Sequence, residues 1–195
     1  MNGRAFFDFD GTITRHDSFI RFSIFTLGKK RVLTAFIKSI ISIILWKIGI
    51  KTNSQAKEVL FFNLFHNYPY DSFKNKCEEF IPIIDSMLRE DIMSLINEHR
   101  KNGVPVTIVS ASVADWIKPW AFKHGIDEII ATEIQIAPSN IILSGRFSTP
   151  NCVGENKVKR IKERYPKINL KDCWAYGDSQ SDIPMLQAVG HSFKV

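Results

Sequence analysis

Two carboxylates one residue apart, Asp8 and Asp10, lie near the start of the chain, directly after the apolar segment Ala5–Phe7. A short buried segment followed by acids and Gly11 predicts a strand that delivers both carboxylates at its carboxyl end. Side chains two residues apart in extended chain point the same way, so the pair could address one ligand. Two like charges this close are costly unless they share a cation or a proton. The pattern fits a catalytic acid pair and an acidic turn equally well.

Further polar residues follow two other predicted strands. Ser110 comes directly after the β-branched segment 104–109, and Asp178 lies just beyond the apolar segment Cys173–Tyr176. Lys157 lies near the start of a predicted helix between them. Because parallel strands end at the same edge of a sheet, the serine and the aspartates are expected to converge there.

This set of residue types meets the needs of phosphoryl transfer. Asp8 could attack phosphorus and form an aspartyl-phosphate, and Asp10 could protonate the leaving alcohol and then activate water. Asp178 and Asp8 are hard oxygen ligands that suit Mg²⁺. Ser110 and backbone N–H groups at the following helix could hold the phosphate. Lys157 would offset the negative charge of the carboxylates and of the phosphoryl group.

Each element also has a simpler interpretation. The segment 110–112 could be a helix cap, Lys157 a solvated helix lysine, and Asp178 an ordinary turn residue. Ser179 and Asp182 have the spacing of a capping box, which would only steady a helix start. These interpretations do not explain why all the elements occur in this order, each at a strand end or a helix start.

The elements that position these residues are those of an α/β protein. Strands alternating with helices predict a mostly parallel, Rossmann-like sheet formed by residues 1–15 and 101–195. Residues 16–100 are predicted to form a helical cap inserted after the first strand. Its predicted helices are Phe19–Leu27, Val32–Ile50, 54–66, 71–80 and Asp85–Lys101. A hairpin is predicted from Glu133–Ile136 and Ile141–Phe147, with its turn at Pro138-Ser139-Asn140.

Composition narrows the class of protein. The chain has 195 residues, 45% of them hydrophobic, which suits one folded domain with a modest insertion. Its three cysteines form no CxxC pair, and no secretory signal is visible, so a cytoplasmic protein is expected. The net charge of +6 is concentrated between Arg15 and Glu58, which include nine basic and two acidic residues. No nucleic-acid-binding motif accompanies this charge, so no nucleic-acid partner is expected.

The predicted helix over Val32–Ile50 is unusually apolar, with thirteen apolar residues in nineteen. It is barely long enough to span a bilayer, and Lys38 and Lys47 interrupt it. Two interpretations stay open: an interfacial helix with its lysines near anionic headgroups, or a helix packed inside the cap.

Four blocks of the sequence, in order, resemble the motifs of the haloacid dehalogenase-like (HAD) superfamily. They are Asp8-Phe9-Asp10-Gly11-Thr12, Ile108-Val109-Ser110-Ala111-Ser112, the segment 151–157 that ends in Lys157, and Gly177-Asp178-Ser179-Gln180-Ser181-Asp182. The helical insertion is similar to the cap of the phosphoserine-phosphatase-like subfamily IB.

The resemblance implies a role for each matching residue. Asp8 would be the nucleophile and Asp10 the general acid/base, while Asp8, the backbone carbonyl of Asp10 and Asp178 would bind Mg²⁺. Ser110 and Lys157 would hold phosphate. Two further residues would support the site. One is Thr12, and the other is Asp182, which would orient Lys157 or a metal-bound water.

The substrate is less constrained by the resemblance. An acid at Asp10 favours ester hydrolysis over dehalogenation, because an alkoxide leaving group needs a proton and a halide does not. Asp17 takes the place of a cap glutamate that recognises the substrate amine in phosphoserine phosphatases, and it is one methylene shorter. The long apolar segment 32–50 also resembles that of phosphatidylglycerophosphatase C, which makes a lipid phosphate and peripheral contact with the inner membrane face an alternative. A further alternative is a non-catalytic phosphate-binding protein, but such a protein would not need an acid at position 10.

Overall fold

The computed structural model describes residues 3–126, 128–138 and 141–195. At its centre is a parallel five-stranded sheet, which confirms the predicted α/β class. Its strands are β1 (Ala5–Phe7), β2 (Val106–Val113), β3 (Glu128–Thr132), β6 (Trp174–Gly177) and β7 (His191–Lys194). Their order in the sheet is β3-β2-β1-β6-β7. A separate antiparallel pair, β4 (Ile134–Ile136) and β5 (Leu143–Phe147), forms the predicted hairpin. Two residues of its predicted turn, Ser139 and Asn140, lie outside the described residues.

Six helices lie between β1 and β2 in the chain. They are α1 (Ser18–Leu27), α2 (Lys29–Lys47), α3 (Asn53–Phe65), α4 (Tyr70–Glu79), α5 (Ile81–Asp85) and α6 (Glu90–Lys101). Three further helices alternate with the later strands: α7 (Ala114–Lys123), α8 (Glu155–Arg164) and α9 (Ile183–Ala188). The limits of a separate cap domain, at residues 16 and 100, stay a prediction.

The central strand β1 sets the position of the polar residues. Phe7 lies level with Ile108 of β2 and with Tyr176 of β6 in the sheet register. The Phe7 and Tyr176 rings stack with centroids 4.3 Å apart. Because all three strands run the same way, the residues that follow them emerge at one edge of the sheet. The sequence predicts that the acids and the serine converge at this edge, and this register is the physical reason for it.

The predicted single helix over Asp85–Lys101 is wrong. Helix α5 ends at Asp85 and α6 begins at Glu90, and the residues between them pair with another part of the chain. The Arg89 N–H donates to the Ile13 carbonyl at 2.9 Å, and the Arg15 N–H donates to the Met87 carbonyl at 2.8 Å. This pairing interrupts the helix and ties the break to the loop that follows Asp10.

Aromatic packing anchors the helices between β1 and β2 to the rest of the protein. Phe22 of α1 stacks on Trp116 of α7, with ring centroids 4.6 Å apart. Phe73 of α4 and Phe80 contact the same phenylalanine edge to face. Burial of four large rings in one cluster gives α1 and α4 a fixed position against α7.

Helix α2 differs from the others in what it exposes. Its buried residues are Val32, Ala35, Ser39 and Ser42. Large apolar residues such as Ile37 and Ile41 are exposed instead, so α2 packs on its neighbours through one face only, and each of the two interpretations of this helix stays a prediction. None of the described helices is both long enough and apolar enough to cross a membrane.

Candidate active site

A buried lysine between two carboxylates forms the floor of the site. The Lys157 Nζ lies 2.5 Å from Asp8 Oδ1 and 2.5 Å from Asp182 Oδ1, and its side chain is 1% exposed. Asp8 continues β1, and its backbone N–H donates to the Tyr176 carbonyl at 2.9 Å. Lys157 reaches it from the first turn of α8, after Gly154. The interpretation of Lys157 as a solvated helix lysine is therefore excluded.

Burial and charge act against each other in this group. Burial raises the pKa of Asp8 to about 7, although the nearby Lys157 ammonium lowers it. Burial alone would lower the pKa of Lys157, but Asp8 and Asp182 raise it above its ordinary value. Burial would raise the pKa of Asp182, but Lys157 holds it below its ordinary value. The lysine stays charged, and Asp8 is the carboxyl whose charge is least stabilised.

Asp10 is held apart from this ion pair by its own hydrogen bonds. The Ser18 backbone N–H donates to Asp10 Oδ1 at 2.7 Å, and the Ser112 hydroxyl donates to Asp10 Oδ2. Burial, followed by the charge of Asp17, raises the pKa of Asp10 to about 6. A carboxyl with this pKa exchanges a proton close to neutral pH, as a general acid/base must.

Asp178 completes the acidic edge of the sheet. Three carboxylate oxygens lie within 4.8 Å of one another there, one each from Asp8, Asp178 and Asp182. Burial and the charge of Asp182 raise the pKa of Asp178. The Thr12 hydroxyl donates to Asp178 Oδ1 at 3.4 Å. Gly11 has φ +86°, and a Cβ there would collide with the Asp178 carboxylate.

This donor set fits a divalent cation with hard-ligand preference. Lys157 balances one of the three converging negative charges, and the other two repel each other unless a second cation or protons balance them. Carboxylate oxygens are the ligands that Mg²⁺ prefers. The cluster contains Asp8 and Asp178 as predicted, and Asp182 in addition. Asp10 turns its carboxylate to Ser18 and Ser112, so only its backbone carbonyl is left for the predicted metal contact.

Ser110 lies inside β2 rather than after it, because that strand extends to Val113. Its side chain is 1% exposed, and its hydroxyl accepts the Ser112 backbone N–H at 3.0 Å. The predicted helix-cap role for this segment is not its role, since α7 begins at Ala114 with no side-chain cap. Asp182 does form the predicted capping box with Ser179, and it binds Lys157 as well.

A cavity of about 380 Å³ opens between this edge of the sheet and the helices inserted after β1. Asp17 lies at its border, where its carboxylate also caps α1 by accepting the Ile20 N–H at 2.9 Å. Most of the wall is apolar and comes from α1, α2 and α3: Phe19, Ile20, Phe36, Ile43, Trp46, Ala56 and Leu60.

The cavity also contains a cation that the sequence analysis missed. Lys57 of α3 donates from Nζ to the Ala111 carbonyl at 2.8 Å, and its ammonium lies 5.1 Å from the Phe19 ring centroid. Burial lowers its pKa, against the opposing charges of Asp17 and Asp10. In the sequence it is one of nine basic residues in its region, and no motif distinguishes it.

Comparison of this chain with known proteins identifies its relatives. The family model for haloacid dehalogenase-like hydrolases matches residues 5–187. The chain is 32% identical over 115 residues to the inhibition of morphological differentiation protein of Streptomyces azureus, covering 58% of this chain and 41% of that protein. It is 33% identical over 118 residues to a protein of Mycobacterium tuberculosis named a probable phosphatase, covering 56% of this chain and 38% of that protein.

These curated relatives are longer proteins, and the chain spans about four tenths of their length. Among solved structures, a phospho-aspartyl intermediate analogue of phosphoserine phosphatase superposes with a TM-score of 0.69 at 21% identity, over 98% of this chain and 85% of that one. This likeness shows a shared fold. With the family match over nearly its whole length, the chain belongs to the haloacid dehalogenase-like hydrolases.

Proposed function

We propose that this protein is a Mg²⁺-dependent phosphatase that hydrolyses a phosphate monoester through an aspartyl-phosphate on Asp8. The observation that carries the proposal is the division of labour between two neighbouring acids. Asp8 is buried and fixed by Lys157, whereas Asp10 is fixed by Ser18 and Ser112 and has a pKa of about 6. A nucleophile and a separate proton carrier are what the two half-reactions require.

In the first half-reaction, a carboxylate oxygen of Asp8 forms a bond to phosphorus while the bond from phosphorus to the ester oxygen breaks. The leaving alkoxide takes a proton from Asp10 and departs as an alcohol. Lys157 would balance the charge beside the attacking oxygen, and Ser110 would donate to a phosphoryl oxygen.

In the second half-reaction, Asp10 accepts a proton from water as the water oxygen attacks phosphorus. The bond between Asp8 and phosphorus breaks, inorganic phosphate leaves, and Asp8 is again a carboxylate. Asp10 then carries the proton for the next cycle, so both acids return to their starting states.

Asp8, Asp178 and the backbone carbonyl of Asp10 would hold Mg²⁺, with Asp182 close enough to orient Lys157. Bound there, the cation would neutralise charge on the phosphoryl oxygens and reduce their repulsion of the Asp8 carboxylate. Phosphoserine phosphatases share the fold. The cluster of three acids supports a cation at this position.

The substrate is a phosphorylated small molecule, with two candidates for its class. Asp17 and Lys57 at the cavity support a small zwitterionic ester of the phosphoserine kind, because they offer one anion and one cation to its leaving group. The apolar wall formed by Phe36, Ile43 and Trp46 favours the second candidate, a lipid phosphate whose carbon chain would contact these residues. A cytoplasmic location stays a prediction.

A phosphate-release assay with and without Mg²⁺ tests the proposal. The substrates are p-nitrophenyl phosphate, phosphoserine, and phosphatidylglycerophosphate in detergent micelles. We expect Mg²⁺-dependent release from p-nitrophenyl phosphate and a preference for one of the other two. A folded wild-type protein that releases no phosphate from any of them would favour a phosphate-binding role and contradict the proposal.

A further inference from the structure

Helix α2 presents a stripe of large apolar side chains to the outside. We call it the α2 stripe, and its members are Leu33 (62% exposed), Ile37 (63%), Ile40 (49%), Ile41 (70%) and Ile44 (51%). At about 100° per residue these positions fall within an arc of about 100° on the helix. Of the twelve exposed large hydrophobic side chains among the described residues, eight lie between residues 33 and 50. The apolar exposure is therefore one patch and not a scatter of single residues.

The orientation of α2 is fixed by its buried face, which consists of Val32, Ala35, Ser39 and Ser42. The Ser39 hydroxyl on that face accepts a hydrogen bond from Asn63 Nδ2 of α3 at 2.9 Å. Turning the helix to hide its isoleucines would break this bond and expose the buried face to water. The α2 stripe is thus held outward by the packing of the helix.

Lysines flank the α2 stripe along the helix, and the chain segment that carries them contains no acid. Exposed lysines lie at the helix ends and along its side: Lys29, Lys30, Lys38 and Lys47. The sequence has no acidic residue between Asp17 and Glu58. An apolar stripe flanked by lysines matches the two layers of an anionic membrane surface, with acyl chains below and negative headgroups above.

We infer that the α2 stripe docks this protein onto the surface of an anionic phospholipid bilayer, with α2 lying in the plane of the interface. A second copy of the chain is a poorer occupant, because a symmetric contact through this face would bring two lysine-rich rims together with no acid between them. An anionic lipid surface supplies the missing negative charge.

Docking in this way would bring the candidate active site to the membrane. Phe36, Ile43 and Trp46 of α2 line the cavity, and Phe36 and Ile43 lie beside the α2 stripe on the helix. This inference rests on the proposed function and deepens it, because it names the surface from which an apolar phosphate ester would enter the cavity. Binding to lipid does not itself require turnover, so the two can fail separately.

Co-sedimentation with vesicles tests the inference. Wild-type protein should sediment with vesicles of equal parts phosphatidylglycerol and phosphatidylcholine, and much less with phosphatidylcholine alone. The variant Ile37→Ser/Ile41→Ser/Ile44→Ser should bind the anionic vesicles at least about 100-fold more weakly, because each buried isoleucine contributes strongly to transfer out of water. The variant Lys38→Gln/Lys47→Gln should bind about 10- to 30-fold more weakly at low salt.

The matched control is Phe122→Ser, which removes a side chain that is 54% exposed on α7, away from α2. It should bind vesicles as wild type does. Hydrolysis of p-nitrophenyl phosphate by each variant checks that it is folded, and wild type that binds vesicles but hydrolyses nothing would overturn only the proposed function. Absence of wild-type binding to anionic vesicles would overturn the inference. Equal binding of anionic vesicles by wild type and by the triple serine variant would also overturn it. The same holds if wild type binds no vesicles but forms a dimer in sedimentation equilibrium, and the serine variant loses that dimer.

Discussion

The acidic edge of the sheet buries a charged side chain, whereas helix α2 exposes apolar ones. At the sheet edge, Lys157 is almost fully buried because Asp8 and Asp182 surround its ammonium. On α2, Ile41 is 70% exposed while Ser39 is buried against Asn63. In both regions, the partners of a side chain decide its burial more than its residue type does. In our proposals the core region carries the chemistry, and α2 sets the surface at which that chemistry takes place.

The largest effect is expected at Asp10, which we propose as the proton carrier of the core. Asp10→Asn should lower kcat by about 10²- to 10⁴-fold on an alkyl phosphate, because the alkoxide loses its acid. The loss should be much smaller for formation of the phosphoenzyme from p-nitrophenyl phosphate, whose leaving group needs little protonation. Single-turnover measurements on both esters give the comparison, with Asp71→Asn as the control, because the Asp71 side chain is 91% exposed on α4. An equal loss on both esters would count against an acid role.

Removing the buried lysine should weaken the core itself. Lys157→Met leaves Asp8 and Asp182 buried without a cation, and should lower the free energy of unfolding by about 3–5 kcal/mol. The double variant Lys157→Met/Asp182→Asn should regain part of that stability but no turnover. Urea unfolding and phosphate release measure the two effects. If the single variant unfolds like wild type, the lysine is not the buried partner described here.

Two glycines with positive φ compare the core with the inserted helices directly. Gly11 (φ +86°) lies against the Asp178 carboxylate, whereas Gly28 (φ +77°) has nothing within 4 Å of an added Cβ. Gly11→Ala should cost about 1–3 kcal/mol of stability and most of the turnover. Gly28→Ala should also cost about 1–3 kcal/mol, because φ +77° with ψ +155° is a conformation that only glycine adopts readily, but it should leave turnover unchanged. A similar loss of turnover at both positions would remove the contrast between the regions.

The orientation of α2 makes a smaller but clear prediction. Ser39→Ala should lower the free energy of unfolding by about 1 kcal/mol, because it leaves the Asn63 amide without its acceptor. Ile41→Ser should change it by no more than about 0.5 kcal/mol, since that side chain already faces water. Thermal or urea unfolding of the two variants gives the order. The reverse order would mean that the helix packs with its isoleucines inward.

The smallest effect is expected from His99, which lies in the last turn of α6 against Trp174 and Tyr176. Burial lowers its pKa below its ordinary value of 6.5, and it hydrogen-bonds the Tyr176 hydroxyl at 2.8 Å. The folded protein therefore binds fewer protons here than the unfolded chain, so this contribution to stability falls as the pH drops below the ordinary pKa. His99→Gln should flatten that part of the pH dependence. Unfolding at about pH 5.5 and about pH 7.5 measures it.

Much of the core was predictable because its information is local. Short apolar segments that end in Asp8, Ser110 and Asp178 predict strands, and parallel strands bring their ends together. The position of Lys57 was not predictable, since it depends on how α3 docks near Ala111, a contact 54 residues away in the chain. The break after Asp85 had the same origin: pairing with residues 13–15 overrode the helical pattern.

The orientation of α2 shows a different limit. Its composition fits both an interfacial helix and a helix packed inside the cap, because periodicity identifies a face but not what covers it. The burial of Val32, Ala35, Ser39 and Ser42, and the hydrogen bond between Ser39 and Asn63, show which side is inward. The predicted substrate role of Asp17 likewise stays a prediction, although its carboxylate borders the cavity.

The most direct measurement is the identification of the phosphorylated residue. Wild-type protein mixed with Mg²⁺ and p-nitrophenyl phosphate is quenched in acid within one turnover, digested, and analysed by mass spectrometry. We predict the added mass of one phosphoryl group on the peptide that contains Asp8, present in Asp10→Asn and absent in Asp8→Asn. Turnover that persists in Asp8→Asn, or a phosphoryl group found on a different residue, would contradict the proposed mechanism.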